Sequence, residues 1–103
     1  MDNFKVIYKI LKILEEAMDV QDFDESMLSP DMFKISQTRL DAILVMLQND
    51  GYISGLIPVR FGRMTGVKFD NVRITLKGLE YLAENSFMKK AANIAKGIAD
   101  LIP

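Results

Sequence analysis

A mostly helical α+β fold is what this sequence predicts, and three observations predict it. A broad apolar helix pattern runs from Phe4 to Met18, and a second amphipathic pattern, Gln37 to Asp50, stops at a glycine. Two strand-like runs between Tyr52 and Ile74 flank a glycine-bounded turn. The second run ends on a threonine that leads directly into another helix. With 103 residues, half of them apolar and 26% charged, the chain fits one small folded domain spanning residues 1–103.

The first helix carries Lys5, Lys9, Lys12 and Glu16 as one narrow polar stripe, and apolar residues fill most of the rest. An ordinary surface helix buries a narrower face, so this one is expected to be covered on two sides, by the core and by another element or chain. Asp19 to Leu28 reads as an acidic loop anchored by Phe23, Met27 and Leu28, with a short edge strand near Met27. Ser29-Pro30 is a helix start, because proline suits the first helical position. The helix it opens is short and ends near Lys34. Ser36 is the next N-cap, and Leu40, Ile43, Leu44 and Leu47 then mark the buried face of the helix that Gly51 ends.

Tyr52 to Phe61 is strand-like, with Pro58 favouring an edge or a bulge. Gly62 to Gly66 reads as the turn and Val67 to Ile74 as the return strand, in which Asp70-Asn71 marks a bulge or secondary turn. Thr75 caps a helix from Leu76 to Glu84, with Leu76, Leu79 and Leu82 expected to point inward. Asn85-Ser86 then breaks the pattern, and Phe87 to Leu101 forms a last helix. The order is helix, short helix, helix, hairpin, helix, helix. It is that of a winged helix-turn-helix with a two-stranded wing and an extra C-terminal helix, residues 86–103 being the extension.

Composition excludes more chemistry than it suggests. The chain has no cysteine and no histidine, which removes thiolate and imidazole catalysis and the usual zinc sites. The acids of the Asp19–Glu25 loop miss the glycine and glutamate spacing of a calcium loop. Gly62 to Gly66 lacks the Lys-Ser/Thr of a phosphate-binding loop. The reading is therefore of a protein that is not an enzyme and needs no metal or cofactor. No apolar run approaches the roughly 18 residues of a membrane span, and the first residues lack a signal peptide's features, so a cytoplasmic protein is expected.

Charge is unevenly placed. The net charge is -1, which argues against strong nonspecific nucleic-acid binding. Yet Asp19 to Asp31 holds five acids and no base, whereas Arg60 to Lys77 holds five bases and one acid. In a helix-turn-helix the second helix enters the major groove N-terminus first, which here presents Gln37, Thr38, Arg39 and Asp41. Glutamine suits adenine and arginine suits guanine. Arg60, Arg63 and Lys68 flank the hairpin turn, where a wing contacts phosphates. The competing reading takes all of these as a solvated helix face and a charged, aggregation-resistant strand edge. Val45 and Met46 on the outer helix face suit a protein contact better than a groove, so a protein-interaction module without DNA binding is the alternative. Phe87, Ala91, Ile94, Ile98 and Leu101 form a seam that could join two copies as a homodimer through the first and last helices.

Three segments carry a family resemblance: Asn49-Asp50-Gly51-Tyr52-Ile53, the run Ile74-Thr75-Leu76-Lys77-Gly78-Leu79-Glu80-Tyr81-Leu82, and Glu84-Asn85 followed by a lysine-bearing helix. Together they resemble the YjcQ-like family of small bacterial and phage-associated proteins, over Phe4 to Ile102. The Gly-Tyr-Ile and Thr-Leu-Lys-Gly elements are shared with PadR-like and MarR-like regulators. The resemblance implies a winged-helix fold and a bacterial or phage origin. It brings no catalytic residue.

Overall fold

In the computed structural model, which describes residues 2–94 and side chains as far as Asn85, four helices surround one hairpin. The order is α1 (Asn3–Ala17), a 3-10 turn (Glu25–Met27), α2 (Pro30–Phe33), α3 (Gln37–Asn49), β1 (Ile53–Phe61), β2 (Met64–Ile74) and α4 (Leu76–Ile94). The two strands form an antiparallel two-stranded sheet. The fold is α+β and mostly helical, in the layout of a winged helix.

The long helices begin where a side-chain oxygen can take a free amide. Asp2 Oδ1 accepts from the Lys5 amide at 3.0 Å and Ser36 Oγ from the Arg39 amide at 3.1 Å. Thr75 does the same for α4, accepting from the Gly78 amide at 3.2 Å. Ser29 takes the N-cap position of α2 without a capping bond, and Pro30 supplies the helical φ there.

The core lies between α1, α3 and the base of the hairpin. Val6, Ile10, Leu11 and Leu14 meet Leu40, Ile43, Leu44 and Leu47, with Phe33, Ile53, Leu56, Val72 and Leu82 closing the remaining sides. Each such side chain withdrawn from water contributes about 1.5–3 kcal/mol. α1 touches α3, β2 and α4. These elements cover part of its wide apolar surface, while Phe4 stays 73% exposed.

The structure departs from sequence expectation at four places. Near Met27 there is a 3-10 turn and no edge strand. The Asp24 carboxylate accepts both the amide (3.0 Å) and the hydroxyl (2.6 Å) of Ser26, which curls the chain and holds the Asp24 carboxyl below the usual range. The hairpin loop is only Gly62-Arg63, because the strands stay paired out to Phe61 and Met64. The helix does not break at Asn85-Ser86. Asn85 Nδ2 donates to the Tyr81 carbonyl one turn back (2.9 Å), and α4 continues to Ile94. Leu76 is 72% exposed where it was expected inside, Leu79 is half-buried, and only Leu82 is fully buried.

The expected bulge is present. Ser54 pairs with Arg73 and Leu56 with Phe69, so Gly55 faces the three-residue stretch Asp70–Val72. Gly55 has φ +95°, and a Cβ there would sit 2.5 Å from the Asn71 carbonyl oxygen. Only glycine satisfies both constraints.

Thr75→Val, which keeps the shape and removes both hydroxyl bonds, is expected to cost about 1–2 kcal/mol in urea unfolding. Leu76→Lys should stay within about 0.5 kcal/mol of the parent, as befits an exposed position.

Candidate nucleic-acid interface

The angle between α3 and the hairpin is set by side chains that bond to backbone. The Gln48 side-chain amide donates to the Leu56 carbonyl (2.9 Å) and accepts from the Leu56 amide (2.7 Å). It thereby satisfies both backbone groups of a β1 residue just beyond the bulge. At the helix end, the Tyr52 amide donates to the Leu47 carbonyl at 2.8 Å, and Thr75 Oγ1 donates to the Gly51 carbonyl at 2.5 Å. Lys77 Nζ donates to the Asp50 carbonyl at 2.7 Å and lies 4.7 Å from the centre of the Tyr52 ring. A lysine at that place complements the negative end of α3. Tyr52 in turn meets Tyr81 edge-on, with ring centres 5.6 Å apart, and partial burial raises the Tyr81 phenol pKa, the nearby Tyr52 phenol adding to the effect.

Held this way, α3 and the hairpin enclose an open cleft of about 550 Å³. Thr38, Asp41, Ala42 and Val45 line one wall, and Pro58, Val59, Arg60, Thr65 and Val67 line the other. Met46, next in sequence to Val45, is 52% exposed.

Of the four helix residues expected to read bases, Thr38 and Asp41 face this cleft. Gln37 is engaged with Asp41, its Nε2 donating to Oδ1 at 2.7 Å. Arg39 turns away from the cleft: its Nε and Nη2 donate to Asn3 Oδ1 at 2.8 and 2.5 Å, tying α3 to the start of α1. The wing residues fall on different faces. Cross-strand partners share a face and successive residues alternate. Arg60, opposite Thr65, shares a strand face with Pro58 and Val67 and lines the cleft, while Lys68, opposite Ile57, lies on the other strand face. Arg63 is in the turn.

Lys34, at the end of α2, has no side-chain partner among the described residues, and the other cations whose side chains are described divide into two groups. Lys5 and Lys12 pair with Asp2 and Glu15, Lys9 donates to the Met32 carbonyl, and Arg39 and Lys77 make the bonds above. The side chains of Arg60, Arg63, Lys68 and Arg73, all on the hairpin, make no hydrogen bond or ion pair among the described residues. From Gly51 to Phe69 the sequence has no carboxylate. A polyanion reaching the hairpin would meet cations that need not give up partners.

The seam residues Phe87, Ala91 and Ile94 lie where side chains are not described, and Ile98 and Leu101 lie outside the described residues. Among the described residues no group of acids is placed to hold a metal ion, and no helix is long and apolar enough to cross a membrane.

Gln48, Asn3 and the role of Lys77 went unseen in the sequence. Gln48 had a faint signal, as a polar residue beside the buried Leu44 and Leu47 at the end of a helix that leads into a strand. Its partner is a backbone, which no side-chain pattern reveals.

Residues 8–101 match the profile of a family described as YjcQ protein. The match runs through nearly the whole chain, so the chain belongs to the YjcQ family. Neither the curated proteins nor the solved structures give a significant match.

Gln48→Leu strips the Leu56 amide and carbonyl of their partners and is expected to cost about 1–3 kcal/mol. Hydrogen exchange should show the Leu56 amide losing protection while the amides of α1 keep theirs.

Proposed function

We propose that this member of the YjcQ family binds double-stranded DNA as a small regulator of transcription. The observation that carries the reading is the collection of unengaged cation side chains on the hairpin beside α3, whose stretch from Ile53 to Phe69 has no carboxylate. In this arrangement the N-terminal half of α3 enters the major groove, and Arg60, Arg63 and Lys68 meet the backbone. Thr38 and Gln37 are the base-reading groups, and Asp41 suits a cytosine amine. Arg39 can exchange one oxygen acceptor for another by leaving Asn3 for a phosphate. The overall charge of -1 makes binding modest and steeply dependent on salt. A symmetric pair of copies would read a palindromic site. Sedimentation showing monomer alone at high micromolar concentration removes that part of the proposal.

A second reading has its own observation. The cleft between α3 and the hairpin is walled largely by Ala42, Val45, Pro58, Val59 and Val67, with Asp41 as its acid, which suits a protein segment. Val45→Lys separates the two readings, because it strengthens or spares DNA binding and disrupts an apolar contact.

Titration of duplex fragments at low salt tests the leading reading. Replacing Arg60, Arg63 and Lys68 together by alanine should weaken binding across all sequences and flatten the dependence of log affinity on log salt by about 2 to 3. No binding by the parent protein at low salt would sink the proposal.

A further inference from the structure

The hairpin ends in a feature that phosphate contact does not explain. Phe61 and Met64 form the last cross-strand pair, and they are 74% and 75% exposed. Hairpin ends are ordinarily built from polar turn residues. Here two large apolar side chains stand in water on one face, where burial of each is worth about 1.5–3 kcal/mol. Guanidinium groups flank them, from Arg60 before Phe61 and from Arg63 before Met64, and neither has a partner among the described residues. The nearest acids along the chain are Asp50, before the hairpin, and Asp70, in β2 opposite the bulge, while Glu25 and Asp41 line a shallow hollow with Phe61.

The shape of the tip suits insertion. The loop has two residues, with positive φ at Gly62 (63°) but not at Arg63. That turn keeps the strands about 4.8 Å apart to the end. The ribbon with its side chains is too broad for a minor groove of about 6 Å, but side chains projecting from its end are not. From Leu56, where Gln48 clamps the ribbon, to Phe61 is five residues. That is a reach of about 17 Å, close to half a duplex turn and so to the offset between neighbouring grooves.

Resting on the DNA-binding reading, we propose that the wing tip is an intercalating wedge. Phe61 and Met64 enter between base pairs from the minor groove, Arg60 and Arg63 neutralise the flanking phosphates, and the duplex kinks. Apolar wedges of this kind, phenylalanine and methionine among them, bend DNA by about 20–90°. Charge complementarity selects the occupant: the tip offers apolar surface bounded by cations, and an unstacked base step offers apolar faces bounded by anions. An anionic lipid surface presents a related combination, and the experiment below includes it.

Duplexes carrying 2-aminopurine at flexible steps, with a dye at each end, report unstacking and bending together. The parent protein should raise 2-aminopurine emission several-fold and shorten the end-to-end distance. Phe61→Ala/Met64→Ala should keep the unfolding midpoint of the parent, yet at protein concentrations that saturate the duplex leave emission and distance at the values of free DNA. Binding by the parent without unstacking, or unstacking that survives the double substitution, overturns the wedge and leaves DNA binding standing. Failure of the parent to bind any duplex overturns both. Phe61-dependent sedimentation with phosphatidylserine vesicles in place of duplex binding overturns the wedge in favour of a lipid surface.

Discussion

The surface of this protein depends on the bidentate contact between the Gln48 amide and the Leu56 backbone. A two-stranded ribbon alone is marginal in water and has no fixed direction. The Gln48 contact turns one β1 residue into a junction whose amide and carbonyl are both satisfied from α3. The bulge at Gly55 lies immediately before it, so the ribbon bends and is then caught. The cleft, the position of Arg60 and the projection of the wing tip all follow from that one angle.

The other end of the corner is held in a complementary way. Tyr52, Thr75 and Lys77 donate to carbonyls that the end of α3 would otherwise expose. The motif Thr-Leu-Lys-Gly thus closes α3 as much as it opens α4. Its lysine is a structural cation, as is Arg39, which bonds to Asn3. Lys34 aside, the cations described outside the hairpin are bonded within the chain, and the hairpin keeps its own for whatever it meets.

Much of the architecture was legible in the residues. Ser36, the Leu40–Leu47 row and Gly51 bounded α3 because capping and periodicity are local properties. Asp70-Asn71 announced the bulge for the same reason. Misreadings came where a local signal had a nonlocal competitor. Asn85 looks like a helix breaker, but a helix already under way lets its side chain bond back to Tyr81 and continue. Leu76 looks like a core residue, but the Thr75 junction sets the start of α4 so that it faces water. Of the candidate site, the wing cations were found by composition alone. The diversion of Arg39 was not, since Asn3 is 36 residues away in sequence.

By itself the sequence determined the order of the main helices and the hairpin, the caps that open α3 and α4, and that this chain lacks the side chains of thiolate, imidazole and zinc chemistry. These follow from dihedral preferences, capping oxygens and the absence of histidine and cysteine, none of which needs a folded partner. Only the tertiary structure decided which cations are engaged, which face of the ribbon carries Arg60 and which carries Lys68, and that Phe61 and Met64 stand at its exposed end. Those outcomes depend on side chains meeting distant backbone, a geometry that exists only after α3 and the hairpin have been brought together.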